Sequence, residues 1–382
     1  MRILHLGKYY APERGGIERH TQALAEYCVG HGDRVGALVH QRPGCWRSGE
    51  ETLNGVVVRR VGCLAAPVYT PVSPTFPWHL SRMLHELQPQ VLHLHLPNPS
   101  CFAALASPAA RRLPWLVHWH ADVPPDAPDW RLRLGYRAYR PLEQALLARA
   151  RAVIATSQAY LEASHALVRW QHKTRVIPLG IAATEPGTPD ATAWPHSAGL
   201  RLLAVGRLSR YKGFDVLIDA LAMRPHDSLL LVGDGECAQP LRAQAAARGV
   251  AERIHFTGAI DDAGLASAYA SADVFVLPSR DRGEAFGLVL LEAMRAGLPV
   301  VASAIAGSGV ASVVGGGEAG LLVPPDDAAA LAHALTQMQQ PATRQQLGAC
   351  GRARWQAHFT LEQSARATRA LYELALAQDA PD

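Results

Sequence analysis

The sequence predicts an α/β protein of two domains, each a parallel sheet with helices on both faces. Three observations carry that prediction. Short apolar runs alternate with helix-length stretches from the first residues onward. A second series of the same kind starts at Leu200, after a stretch rich in Pro, Thr, Ala and Gly. The 382 residues also exceed what one hydrophobic core ordinarily organises.

Taken in order, Arg2–Leu6 reads as a strand, a glycine-containing loop follows, and Ile17–Gly30 reads as a helix. Val35–Val39 is the next strand, with further apolar runs at Val91–Leu96, Leu116–Trp119 and Ala152–Ala155. After Val176-Ile177-Pro178-Leu179-Gly180, residues 181–199 show no periodicity and read as a linker. The second series comprises Leu200–Val205, Ser228–Val232, Arg253–Thr257, Val274–Leu277 and Pro299–Ala302. Leu361–Ala377 is an amphipathic helical run. No internal sequence repeat relates the two halves. A ligand cleft is expected at the carboxyl ends of the strands, between the domains.

Hydrophobic residues make up 49% of the chain and charged residues 18%, which describes a folded protein with ample core. The six cysteines form no Cys-x-x-Cys pair, so neither a zinc knuckle nor a disulfide framework is indicated, and a reducing cytosol fits. Ile3–Leu6 is too short for a signal peptide's apolar region, and no stretch has the length and apolarity of a membrane span. Charge is unevenly shared. Residues 1–180 hold 21 Lys and Arg against 12 Asp and Glu, a net +9, whereas residues 181–382 hold 16 against 21, a net −5. The first half is therefore suited to an anionic partner, nucleic acid or an acidic lipid leaflet.

Several short motifs carry chemistry. In Glu284-Ala-Phe-Gly-Leu-Val-Leu-Leu-Glu292 the two carboxylates stand eight positions apart, about 80° past two full helical turns. If a helix starts near Phe286, Glu284 lies in the preceding loop and Glu292 two turns in. The N–H groups of Phe286, Gly287 and Leu288 are then open to phosphate. That layout suits a ligand with hydroxyls at both ends and phosphates between; it equally fits two glutamates that cap and solvate an ordinary helix. Gly206-Arg207-Leu208-Ser209-Arg210-Tyr211-Lys212 follows the first strand of the second series, where Arg207 and Lys212 can clamp a diphosphate. Gly233 and Gly235 follow the next strand and permit close backbone approach, to a ligand or within a plain turn. Gly15-Gly16 lies between the first strand and helix without Walker spacing. His93-Leu94-His95 and His118-Trp119-His120-Ala121-Asp122 set histidines on one strand face. No Glu or Cys sits at helpful metal spacing, so His120 and Asp122 read better as sugar-bonding groups and His93 as core. From Asp129 to Arg151, arginines interleave with Trp130, Tyr136, Tyr139 and leucines, a composition fit for a bilayer interface or a solvated helix face.

Together the Gly15-Gly16 loop, His120, Pro178-Leu179-Gly180, Gly206-Arg207 with Lys212, Gly233-Asp234-Gly235 and the Glu-x7-Glu run resemble the retaining glycosyltransferases of family 4. The resemblance spans nearly the whole chain. Its one departure is Ala285, where the family often has Gly. It implies the GT-B fold, two facing Rossmann-like domains: 1–180 for the acceptor and 200–360 for the nucleotide-sugar, with 181–199 between. It also has the helix at 361–382 pack back on the first domain. By the same resemblance Glu284 meets the donor hexose and Glu292 the ribose. Arg207 and Lys212 hold the diphosphate, Gly287 and Leu288 add phosphate contacts, and His120 sits near the transferred sugar. Phe286, Gly15, Gly16, Gly233 and Gly235 complete the expected donor site, with Asp122 and His95 on the acceptor side.

The phrases His93-Leu94-His95-Leu96-Pro97-Asn98-Pro99 and Gly307-Ser308-Gly309-Val310 resemble a narrower branch, the bacterial mannosyl- and rhamnosyltransferases of surface polysaccharide synthesis. That branch implies a GDP-linked donor, best read as GDP-mannose, and a polyprenyl-diphosphate-linked saccharide acceptor. It also implies no metal or other cofactor, no nucleic acid, and a cytoplasmic place at the inner face of the plasma membrane. The competing readings are a UDP-sugar donor, a sugar-nucleotide epimerase of the same fold, and a non-catalytic nucleotide-sugar-binding protein.

Overall fold

The computed structural model describes every residue except 14, 68–69, 124–129, 191–193, 196–197 and 378–382. The chain forms two compact units, Met1–Gly180 with Leu361–Asp382, and Ile181–Thr360.

The first unit is built on an eight-stranded sheet: β1 (Arg2–Leu6), β2 (Arg34–His40), β3 (Gly49–Leu53), β4 (Val56–Val61), β5 (Val91–Leu96), β6 (Trp115–Trp119), β7 (Ala152–Ala155) and β8 (Thr174–Val176). Its order is β3-β4-β2-β1-β5-β6-β7-β8, and every pair is parallel except β3 with β4. The central strands are buried along almost their whole length, as a sheet covered on both faces requires. The β3–β4 hairpin is absent from the sequence-based expectations. Its turn is Asn54-Gly55, with φ of 48° and 83°, the left-handed pair that a two-residue hairpin needs.

The helix Leu361–Ala377 belongs to this unit although it comes last in the chain. Its Ala365, Tyr372 and Ala375 share one apolar cluster with Leu24, Ala25 and Cys28 of the helix Gly16–Gly30. Arg369 Nε donates to Asp33 Oδ2 at 2.8 Å, and the Tyr372 hydroxyl lies 2.6 Å from His93 Nδ1.

The second unit has six parallel strands: β9 (Arg201–Val205), β10 (Ser228–Val232), β11 (Ile254–Gly258), β12 (Val274–Leu277), β13 (Val300–Ser303) and β14 (Gly320–Val323). Their order, β11-β10-β9-β12-β13-β14, reverses between β9 and β12. The loops leaving those two strands diverge there, which makes a crevice at their carboxyl ends.

The stretch expected as a linker lies on this second unit. Ile181 bridges to Thr360, the Asp190 N–H donates to Ser271 Oγ at 2.7 Å, and Trp194 is buried. Residues 191–193 and 196–197 of that stretch fall outside the described residues. Among the described residues no helix is long and apolar enough to cross a membrane.

Candidate functional site

In the second unit the reversal of strand order brings together two loops far apart in sequence. The loop after β9 turns through a short helical segment, Arg210–Lys212, and stops at Gly213 with φ +65°. A Cβ on Gly213 would stand 2.0 Å from the carbonyl oxygen of Pro278, so only glycine lets this loop approach the one after β12. The Arg280 N–H donates to the Tyr211 carbonyl at 2.8 Å and fixes the contact. Lys212 Nζ then donates to Glu284 Oε2 at 2.6 Å, both side chains being buried. Ser279 Oγ donates to the same oxygen at 2.9 Å. Burial pushes the Lys212 ammonium down, but the Glu284 carboxylate and Tyr211 outweigh it, and its pKa is raised. The chain thus holds a full positive charge inside the crevice.

The helix after Glu284 begins later than the sequence predicts: it runs Leu288–Ala296, capped by Gly287 at φ +83°. Phe286 and Gly287 therefore belong to the loop, and Glu292 is the fifth helical residue rather than two turns in. The reason is Gly287 itself, whose left-handed backbone cannot continue a helix. The N–H groups of Phe286, Gly287 and Leu288 have no hydrogen-bond partner among the described residues. The loop is pinned from behind: the Ser308 hydroxyl donates to the Glu284 carbonyl at 2.5 Å, and the Gly309 N–H to the Ala285 carbonyl at 2.8 Å. Glu292 is buried and accepts from the Tyr269 hydroxyl at 2.9 Å. The sequence assigns no role to Ser279, Ser308, Tyr211 or Tyr269, although Tyr211 and Ser308 lie in its quoted motifs and Ser279 follows a strand end.

Gly233 and Gly235 have a different occupant from the one expected. A Cβ on Gly233 would lie 1.9 Å from the Gly206 carbonyl oxygen, and one on Gly235 2.5 Å from that of Leu208. Their N–H groups already donate, to the Gly258 carbonyl at 2.9 Å and to Asp234 Oδ1 at 2.7 Å. The close approach these glycines permit is that of the neighbouring loop, which sets the position of Arg207. Arg207 is half-exposed and lies 3.5 Å from Glu236.

In the first unit the expected residues meet at the carboxyl ends of β1, β5 and β6. His5 faces His93 across the β1–β5 ladder, and His95 faces His118 across β5–β6. His120 follows β6, its N–H held by the Leu96 carbonyl at 3.0 Å. His20 comes from the helix above. All six imidazoles are buried. Burial, reinforced by neighbouring histidines, holds His93, His95, His118 and His120 well below the usual imidazole range, so the rings are neutral. Gly15 caps the helix that starts at Gly16, and Glu18 folds back so that a Cβ on Gly15 would touch its carboxylate. Arg14 of that loop lies outside the described residues.

Two acceptor-side expectations change. Both ring nitrogens of the buried His95 are taken, Nε2 by His5 and Nδ1 by His120, which leaves none for an acceptor. Asp122 Oδ1 accepts from Trp119 Nε1 at 2.9 Å and from Ser164 Oγ at 2.6 Å, and Oδ2 lies 3.8 Å from His165 Nδ1, so the side chain helps hold the loop. The basic segment also divides. Within the helix Trp130–Arg149, the Tyr136 hydroxyl is buried against Glu143 and His165, and Tyr139 packs on Phe102. Its exposed side carries Arg133, Leu134, Arg137, Arg140 and Leu142. Asp129 falls outside the described residues.

Two histidine triplets, His5/His93/His95 and His95/His118/His120, bring nitrogens within 4.8 Å of one another. His118 and His120 stack face to face, 4.2 Å apart with planes 5° from parallel. In-plane lone pairs on stacked rings run side by side and do not converge on one ion, so the second triplet does not form a tetrahedral ligand set.

Comparison with known proteins agrees with this layout. Residues 15–180 match the family described as "Glycosyl transferase 4-like domain", and residues 199–340 match "Glycosyl transferases group 1". The chain is 31% identical to D-rhamnosyltransferase WbpZ of Pseudomonas aeruginosa, covering 94% of this chain and 92% of that one. It is 33% identical to a phosphatidyl-myo-inositol mannosyltransferase of Mycobacterium leprae, covering 88% and 87%. Among solved structures, sucrose-phosphate synthase from Thermosynechococcus elongatus superposes with a TM-score of 0.80 at 28% identity, over 99% of each chain. Two Rossmann-like parallel-sheet units, both family matches and relatives aligned along nearly their full length place this chain among the group 1 glycosyltransferases, enzymes of the GT-B fold.

Proposed function

We propose that this enzyme is a retaining hexosyltransferase that moves mannose from GDP-mannose to a lipid-linked saccharide in cell-surface polysaccharide synthesis. One observation carries the reading: Lys212 and Glu284, 72 residues apart, share a 2.6 Å hydrogen bond beside a helix start with unbonded N–H groups. A cation and amide donors there suit a diphosphate, and the adjacent carboxylate suits sugar hydroxyls. Glu292, further along the same helix, is the group proposed for the ribose. The relatives named as rhamnosyl- and mannosyltransferases favour a mannose-type hexose. The net +9 of residues 1–180 favours an anionic acceptor at an acidic membrane surface.

The proposed chemistry breaks the bond between the sugar's anomeric carbon and the phosphate oxygen, which keeps the electron pair. Lys212, Arg207 and the N–H groups at the helix start stabilise the developing diphosphate charge. The acceptor oxygen bonds the anomeric carbon on the face just vacated, and its proton passes to the leaving phosphate. His120 is the group of the first unit proposed to meet the transferred sugar. The proposal invokes no metal and assigns the developing charge to Lys212, Arg207 and the helix-start N–H groups.

Thermal unfolding with GDP and with UDP, followed by product analysis with GDP-mannose, tests this reading. A raised midpoint with GDP and an α-configured product are expected. Stabilisation by UDP alone would move the donor to a UDP-sugar; an inverted product, or donor loss with no glycoside formed, would overturn the assignment.

A further inference from the structure

Three of the buried histidines form a hydrogen-bonded row whose proton positions the surrounding atoms decide. His5 Nδ1 lies 3.0 Å from His95 Nε2, and His95 Nδ1 lies 3.0 Å from His120 Nε2. The ring centroids are 5.3 Å apart in both pairs, with planes tilted by 24° and 13°. That is the geometry of in-plane N–H···N bonds rather than of stacked rings. In a row of neutral imidazoles every proton points the same way, so two arrangements exist.

Thr21 selects between them. Its hydroxyl has one proton and donates it to the Ile17 carbonyl at 2.8 Å, the backward bond common for threonine in a helix. The same oxygen lies 3.4 Å from His95 Nδ1, where it can only accept. His95 therefore carries its proton on Nδ1, shared between Thr21 and His120 Nε2. Its Nε2 is bare and accepts from His5 Nδ1. His120 Nε2, as an acceptor, is bare as well, which leaves the ring's proton on Nδ1, a buried atom without a partner among the described residues.

We propose that Thr21, His95 and His5 act as positioning residues that lock His120 in the Nδ1–H form. A sugar oxygen that reaches this buried nitrogen meets a hydrogen-bond donor and not a base. This rests on the reading of His120 as the sugar-facing histidine. It has a mechanistic consequence: His120 donates to an oxygen of the transferred hexose and cannot take the acceptor's proton, which is left to the leaving phosphate.

The test is ¹⁵N spectroscopy of histidine-labelled full-length protein without substrate, with His120 assigned by His120→Ala. A protonated Nδ1 and a bare Nε2 are expected in the wild type. His95→Asn keeps an N–H at the position of Nδ1 and should preserve this form. His95→Leu removes it and should give a mixture of both forms, with kcat reduced about tenfold and KM for the donor little changed. A wild-type His120 protonated on Nε2 would overturn the lock, as would an unmixed spectrum in His95→Leu. Full transfer by His120→Ala would instead overturn the sugar-contact reading while leaving the proton assignment standing.

Discussion

Lys212, on the loop after β9, donates at 2.6 Å to Glu284, on the loop after the neighbouring strand β12, and neither side chain has appreciable access to water. A buried pair of this kind is sensitive to the loss of either partner, because the survivor keeps an uncompensated charge. Lys212→Met should therefore lower unfolding free energy by about 3–5 kcal/mol, and Lys212→Met/Glu284→Gln by clearly less. Denaturant titrations of the two variants check this; equal losses would show that the stranded Glu284 carboxylate carries no penalty. Both variants should lose at least about a hundredfold in transfer rate under the proposed mechanism.

The histidine cluster predicts acid sensitivity. Burial, with His20 adding a smaller push, holds His5 down to about 3, and burial alone holds His20 down to about 4, against an unfolded value of 6.5. Between these values the unfolded chain binds protons that the folded chain does not, so their contribution is intact above pH 6.5 and is lost as pH falls toward 3. Each of the two should remove about 1.4 kcal/mol per pH unit over that window. Melting curves from pH 8 to pH 4 should fall steeply below about 6.5, and replacing His20 by Phe should flatten the slope. A melting temperature constant down to pH 5 would contradict neutral burial.

Gly287→Ala should be costly for its size. Its φ of +83° is left-handed, and a Cβ would meet Leu290 Cδ1 at 2.9 Å. The backbone penalty alone is about 1–2 kcal/mol. Since the residue also sets where the helix begins, nucleotide binding measured by calorimetry should weaken together with stability. Unchanged affinity would separate the helix start from the nucleotide.

Tyr372→Phe should isolate the last helix. Its hydroxyl is bonded to His93 Nδ1 at 2.6 Å in a fully buried setting. Removing it leaves a buried nitrogen unmatched, at a cost of about 1–3 kcal/mol. The thermal midpoint should drop while the shift induced by nucleotide stays the same, because nucleotide is proposed to bind the other unit. A diminished nucleotide shift would be the unexpected result.

Much of the fold was legible in the chain because buried parallel strands are short apolar runs whose ends are marked by loops. Val91–Leu96, Ser228–Val232 and Val274–Leu277 have the same bounds by pattern and by structure. The β3–β4 hairpin was missed even though Asn54-Gly55 announces it, because the flanking Glu50 and Glu51 on an exposed edge strand break the apolar signal. The helix before Ala296 was placed two residues early, since pattern reads apolar spacing and not the sign of φ at Gly287.

By itself the sequence determined which residues could supply charge and hydrogen bonds, and that two sheets would hold them. That information is local: residue type, period and turn chemistry. Tertiary structure alone decided which of those groups meet. Lys212 reaches Glu284 because strand order reverses between β9 and β12. Gly233 and Gly235 serve a neighbouring loop, and Asp122 is held by Trp119 and Ser164. Likewise His5, on the first strand, joins His95 and His120 only through the pairing of β1 with β5 and β5 with β6. A proton on one ring is fixed by a hydroxyl on a helix, and no spacing along the chain records that contact.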